Sequence, residues 1–160
     1  MIYCIYIYSL LSFNNVFASK KSIDSLNYYN QAINIISDYS KHKHSVYVSS
    51  DVLSFVTLGV FFKEEVSFYL NLNENEYQNK DRYYVIKYNR LKLLGYKKRR
   101  RIKIYFSEQK DNIFFAEVIN SPKNKLKYLE RPYFGESNVF MFKIENNIVK
   151  LLKSKKILYN

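Results

Sequence analysis

The stretch IKIYFSEQKDNIFFAEVI, residues 102–119, sets the fold that the rest of the sequence predicts. Every second residue from Ile102 to Phe106 is apolar, which is the period of a half-buried strand. The polar run 107–112 predicts a turn, and Ile113 to Ile119 predicts a strand that returns beside the first. An antiparallel hairpin is therefore expected here.

A second hairpin is predicted towards the C-terminus. The apolar-rich runs from Val139 to Ile144 and from Ile148 to about Leu158 are separated by Glu145-Asn146-Asn147, which is typical of a tight turn. The segment between the two hairpins contains two prolines and a glycine, and it predicts a long loop.

Two helices are predicted before the central hairpin. The first runs from Ser22 or Asp24 to about Tyr39, and its apolar side recurs every three or four residues, at Leu26, Tyr29, Ile33 and Ile36. The second covers residues 73–94 and is expected to stop at Gly95. Its apolar face would contain Tyr77, Tyr84, Tyr88 and Leu91.

The segment between these helices is harder to assign. Val46 and Val48 predict a short strand, and Ser50-Asp51 fits either the start of a helical turn or a bend into another strand. The alternation from Val66 to Leu72 predicts a further strand. Glu64 and Glu65, at its start, would then point to opposite sides and would not share a site.

Together the elements predict one α+β domain over residues 19–160, with two helices packed on one face of a curved, mainly antiparallel sheet. This layout resembles the cystatin-like and NTF2-like folds in architecture. No sequence motif of either family supports the resemblance, and a shared fold would not define a function.

The first eighteen residues contain no Lys, Arg, Asp or Glu, and they end in Val16-Phe17-Ala18. An apolar run followed by a small-x-small site is typical of a secretory signal peptide cleaved after Ala18. A buried strand is the alternative, because positive charge before the apolar run is missing apart from the α-amino group. Export predicts a secreted or periplasmic protein; without it the protein would be cytoplasmic or nuclear.

The sequence favours a non-enzymatic protein without a cofactor. It has three glycines, and no nucleophile, dinucleotide or phosphate-loop motif occurs. His42 and His44 lack nearby acidic or cysteine companions, so no metal is expected. Glu117 lies in an apolar strand, where it would either face solvent or pair with a lysine across the hairpin. A catalytic role for it is disfavoured, because no base lies close in the sequence.

The positive charge is concentrated in one part of the chain. The formal net charge is +12, and residues 80–110 carry twelve basic and two acidic side chains. Tyrosines alternate with these cations, a combination that can neutralise phosphates and stack on bases or sugars. A plain solvated surface is the alternative. The anion-binding candidates are Arg90, Lys97, Lys98, Arg99, Arg100, Arg101 and Lys103.

These features predict an exported, basic binding or interaction protein whose partner is anionic: an anionic polymer, a lipid surface or an acidic protein. One alternative is a small-ligand pocket or a hydrolase on a helix-on-sheet scaffold. Another is an inhibitor or immunity-type protein that blocks an acidic partner. The sequence leaves the oligomeric state open.

Overall fold

The computed structural model describes residues 25–38, 46–70, 84–94, 102–120 and 135–159. Helix α1 covers residues 25–38, and two short helices follow, α2 (Phe55–Gly59) and α3 (Lys63–Leu70). Two 3-10 helices cover Val60–Phe62 and Asn89–Leu94. The strands are β1 (Val46–Leu53), β2 (Val85–Lys87), β3 (Ile102–Ser107), β4 (Ile113–Asn120), β5 (Gly135–Glu145) and β6 (Ile148–Tyr159).

The strands form one sheet in the order β2-β1-β3-β4-β5-β6. Strands β3 to β6 make an antiparallel meander, β2 is antiparallel to β1, and β1 is parallel to β3. The predicted α+β class with a mainly antiparallel sheet is therefore confirmed. The strand predicted at Val46 and Val48 is also confirmed, and it continues through Ser50-Asp51 to Leu53.

Both predicted hairpins are confirmed. Strands β3 and β4 pair with Ile102 opposite Asn120, and β5 and β6 pair with Glu145 opposite Ile148. The second turn consists of Asn146 and Asn147, with φ of 51° and 63°. Asparagine tolerates this left-handed region, and two such residues match the right-handed twist of the flanking strands.

Helix α1 packs on one face of the sheet, and the predicted first helix is confirmed. Tyr29, Ile33 and Ile36 are buried against strand residues that include Phe106 and Phe114. The Tyr29 ring lies 4.5 Å from the Phe106 ring, and its hydroxyl donates to the carbonyl oxygen of Ser107 at 2.9 Å. Burial raises the pKa of the Tyr29 phenol well above its ordinary value.

Helices α2 and α3 pack on the opposite face, so the expectation that both main helices share one face is wrong. Phe62, just before α3, stacks on Phe115 with the ring centres 5.7 Å apart. Phe115 and its neighbour Phe114 point to opposite faces of β4 and are both fully buried. Because both faces of the central hairpin are apolar, each face needs its own cover.

The strand predicted from Val66 to Leu72 is wrong for the described residues, because residues 63–70 form α3. Val66 is fully buried whereas Phe68 is 82% exposed, which period-two alternation would not allow. Val66 and Leu70 are four residues apart and pack on the same core. Glu64 and Glu65 lie in the first turn, where negative charge stabilises the helix dipole.

The second predicted helix is also wrong where the structure describes it. Val85–Lys87 forms the edge strand β2, and Asn89–Leu94 is a 3-10 helix. Val85 pairs with Leu53 and packs on the same core, so contacts with a distant strand outweigh the local helical spacing. Of the predicted apolar face, Leu91 is fully buried, Tyr88 is partly buried, and Tyr84 is 47% exposed.

Residues 71–83, Gly95 and the predicted signal peptide, residues 1–18, lie outside the described residues. Among the helices that the structure does describe, none has both the length and the apolar character needed to span a bilayer.

Candidate functional site

The positive charge excess is not in the described core. The described residues carry eleven basic and nine acidic side chains, whereas the whole chain carries 26 and 14. The segments that connect or flank the described elements therefore hold most of the net charge. The charges of these segments can act together only if the segments join the sheet at neighbouring points.

Five strand ends lie side by side at one end of the sheet. In the register, Val46 lies opposite Ile102, Ile102 opposite Asn120, and Gly135 opposite Tyr159. Strands β1, β3 and β5 begin at this end, and β4 and β6 finish there. These are five adjacent strands, because they occupy consecutive positions in the sheet.

Three positively charged segments are attached to this end. Residues 39–45 precede β1 and contain two lysines, residues 95–101 precede β3 and contain five cations, and residues 121–134 join β4 to β5 with four cations and one acid. We call the end formed by Val46, Ile102, Asn120, Gly135 and Tyr159 the basic end. The predicted candidates Lys97, Lys98, Arg99, Arg100 and Arg101 lie outside the described residues, although Arg101 is bonded directly to Ile102.

Lys103 lies one residue inside the basic end, on β3. Its Nζ is 4.6 Å from the centre of the Tyr105 ring and 5.6 Å from that of Tyr47. Tyr47 lies directly opposite Lys103 on β1. A cation over two aromatic rings is held in place by their quadrupoles, so this lysine is positioned on the α2–α3 face.

Arg90 lies elsewhere. It is an exposed residue of the 3-10 helix Asn89–Leu94, and its neighbour Leu91 is buried in the α1-face core. Lys103 is on the other side of the sheet, so the structure does not bring these two candidates together. Neither Arg90 nor Lys92 forms an ion pair with any acid that the structure describes.

Glu117 is fully buried on the α2–α3 face near the basic end. Its Oε1 accepts a hydrogen bond from the Tyr159 hydroxyl at 2.5 Å, and the Ser137 hydroxyl lies 3.5 Å from that same oxygen of Tyr159. The sequence predicted that Glu117 either faces solvent or pairs with a lysine. The structure buries it and gives it Tyr159 as a hydrogen-bond donor. Tyr159 is 42 positions away, so no local spacing reveals this partner.

A second group of charges, missed by sequence reasoning, joins α3 to β6. Glu65 accepts a hydrogen bond from Lys153, and the Nζ of Lys155 lies 3.6 Å from its other oxygen. Lys155 also donates to the Phe61 carbonyl oxygen at 2.7 Å. Burial alone would raise the pKa of Glu65, but the hydrogen bond from Lys153 and the charges of both lysines lower it below its ordinary value.

A third group lies at the β5–β6 turn, far from the basic end. Glu145 is bound by Lys150 at 2.6 Å and by Lys143 at 2.9 Å. Hydrogen bonds from Lys150 and then Lys143 lower the pKa of Glu145 to about 2. Here, as at Glu65, two lysines share one carboxylate, so each group retains positive charge.

Within the described residues, no three His, Cys, Asp or Glu side chains are grouped in a way that could hold a metal ion. His42 and His44 are outside that part of the chain. No protein-family model, curated protein or solved structure matches the chain.

Proposed function

We propose that the protein is an exported, non-enzymatic binding protein that holds an anionic partner at the basic end of its sheet. One observation carries the proposal: the strand register brings the attachment points of three positively charged segments to the same end. In the sequence these segments are separated by up to about eighty residues, and only the register makes them neighbours.

The strands are spaced closely enough for the charges of the three segments to add to one electrostatic field. Neighbouring strands lie about 4.8 Å apart, so five adjacent strand ends span roughly 20 Å. The spacing between neighbouring strand ends is shorter than the Debye length of about 8 Å at physiological ionic strength, so charges attached to neighbouring strands are only partly screened and reinforce one another. A concentrated field of one sign attracts oppositely charged partners and raises their rate of association.

Lys103 supports the proposal from the described side. Its position over Tyr105 and Tyr47 places a cation beside the basic end, next to the partly exposed ring of Tyr47. Lysine and tyrosine side chains together suit a partner that carries acidic groups on an extended polymer. The opposite end of the sheet differs, because its turns combine Glu108, Asp111 and Glu145 with lysines.

The test compares two variants that lose the same charge at different places. The first variant changes Lys98, Arg99 and Arg100 to Ser. The control variant changes Lys63, Lys110 and Lys150 to Ser, three lysines that lie away from the basic end. Heparin and oligonucleotide binding is measured from about 50 to about 200 mM salt. The first variant should lose up to about three units of the log–log salt slope on DNA, and the control much less.

Equal losses of slope in the two variants would contradict the proposal, because net charge alone would then account for binding. Thermal melts of both variants accompany the titrations. Surface substitutions of this kind should change the free energy of unfolding by less than about 0.5 kcal/mol each.

A further inference from the structure

We propose that the outer edge of β6 accepts an extended acidic segment of another polypeptide, which adds to the sheet as a seventh strand. The inference rests on the proposed function in taking the partner to be anionic, and it specifies an acidic polypeptide and the surface that would bind it. That surface belongs to β6, which lies three positions in the sheet from β3, the strand that residues 97–101 precede.

Strand β6 is an unusually long edge. It has twelve residues, pairs with β5 on one side, and has no other neighbour among the described strands. The opposite edge strand, β2, has three residues. An edge strand presents main-chain N–H and C=O groups that a further strand can pair with. The Val149 N–H already donates to Gln31 of α1, so an added strand would pair beyond Val149. Leu158, 63% exposed, adds apolar surface beside these groups.

Four of the twelve side chains of this edge are cationic, and none is acidic. Lys150, Lys153, Lys155 and Lys156 all belong to β6. Among the acids that the structure describes, these four lysines and Lys143 of β5 pair with three carboxylates, those of Glu65, Glu136 and Glu145. The described side chains of the edge therefore carry two more positive than negative charges, and the ion pair of Lys156 with Glu136 is exposed enough to exchange for another acid.

A second copy of the chain is a poor occupant for this edge. In an antiparallel pair of β6 strands centred on Lys153, this lysine faces its own copy. A parallel pair in register places each lysine beside itself. Like charges directly opposite destabilise a strand pair, and edge lysines commonly prevent such pairing.

The same lysines stabilise a strand that brings acids. Lys153 and Lys155 are two positions apart and therefore lie on one face, whereas Lys156 lies on the other. A partner with an acidic side chain at every second position would meet Lys153 and Lys155 along one face. Opposite charges across a strand pair stabilise it, and the main-chain hydrogen bonds fix the register.

The experiment measures fluorescence anisotropy of a labelled peptide of about ten residues in which Glu alternates with Thr, titrated with the full chain. Two control peptides accompany it: one in which Lys replaces Glu, and one with the original charges but N-methylated at alternate residues, so that it cannot form the ladder. The acidic peptide should bind at least about tenfold more tightly than either control.

Protein variants then locate the site. Changing Lys153 and Lys156 to Gln should weaken binding at least about tenfold, while changing Lys63 and Lys110 to Gln should alter it less than about twofold. Lys156→Gln alone leaves the Glu65 contacts intact, and it should weaken binding by a smaller factor. Circular dichroism melts identify any variant that fails to fold.

Three outcomes would overturn the inference. Equal binding of the N-methylated peptide would indicate charge attraction alone, and a concentration-dependent dimer in light scattering that Lys153→Gln strengthens would make a second copy the occupant. Loss of peptide binding only when Lys98, Arg99 and Arg100 are changed to Ser would move the acidic partner to the basic end. If instead this triple variant binds the peptide normally but keeps the full heparin salt slope, the proposed function fails and the edge site stands.

Discussion

At the scale of single residues, the hydrogen bond from Tyr159 to Glu117 joins the end of the last strand to the middle of the sheet. Glu117 is fully buried, so its carboxylate has lost the water that would otherwise solvate it. The contact of 2.5 Å with the Tyr159 hydroxyl replaces part of that solvation. This arrangement explains how an acid can occupy the apolar strand β4.

Replacing Tyr159 with Phe should lower the free energy of unfolding by about 2 kcal/mol, because a buried acceptor loses its donor. Tyr84→Phe is the matched control, since Tyr84 donates to Glu108 over the same 2.5 Å but at the surface. Water can replace that bond, and the change should stay below about 0.5 kcal/mol. Urea denaturation measures both, and similar effects in the two variants would refute a special role for burial.

At the scale of elements, the 3-10 helix Asn89–Leu94 packs on the sheet chiefly through Leu91, with Leu94 partly buried on the same core. Leu91 is fully buried, whereas Leu93 is 80% exposed. Leu91→Ala should cost about 3 kcal/mol of stability, the usual range for a large-to-small core change. Leu93→Ala should cost less than about 0.5 kcal/mol. Equal costs for Leu93→Ala and Leu91→Ala would contradict attachment through the Leu91 side of this helix.

The β5–β6 turn gives the protein a defined acid sensitivity. The pKa of Glu145 is lowered from its ordinary 4.5 to about 2 by Lys150 and Lys143. The stabilisation of the folded protein by ionised Glu145 is complete above about pH 4.5 and disappears as pH falls towards 2, because protonation removes the partner of both lysines. Glu145→Gln should therefore flatten the dependence of stability on pH in that interval.

Chemical denaturation at a series of pH values measures this slope. Because the pair is exposed, about 1 M salt should reduce the difference between the two proteins. An identical slope for both proteins at low salt would show that the two lysines do not stabilise the ionised carboxylate.

At the scale of the whole molecule, the proposed export remains to be tested directly. Val16-Phe17-Ala18 predicts cleavage after Ala18, which would leave Ser19 as the first residue. Intact-mass spectrometry of protein from its own host measures the N-terminus. A mature protein that still begins at Met1 would remove export from the proposal, and the cation run from Lys97 to Arg101 would then merit testing as a nuclear or nucleic-acid signal.

The sequence predicts the meander well and the rest of the fold less well. Strands β3 to β6 follow their alternation because each has a long, regular pattern and a neighbouring partner joined by a short turn. The predicted strand from Val66 to Leu72 falls on helix α3, and the predicted helix over residues 73–94 includes strand β2. Their short apolar patterns fit both periods, and contacts such as Val85 with Leu53 decide between them.

For the candidate site, the sequence shows where charge accumulates along the chain but not which segments meet. The basic end depends on strand register, and the register of β1 with β3 joins residues 56 positions apart, Val46 and Ile102. Likewise, Glu65 and Lys153 are 88 positions apart. Contacts over such distances leave no local pattern, so only the structure reveals them.

The parallel pairing of β1 with β3 has a consequence for the order of folding. The two hairpins of the meander close through short turns and are joined by residues 121–134, whereas β1 must wait for residues 54–101 to form a loop roughly ten times longer than the turn 108–112. Closing the longer loop costs about 2 kcal/mol more in chain entropy. The meander should therefore form in the transition state and β1 should dock afterwards, so that substitutions in β3 to β6 slow folding while those in β1 mainly speed unfolding.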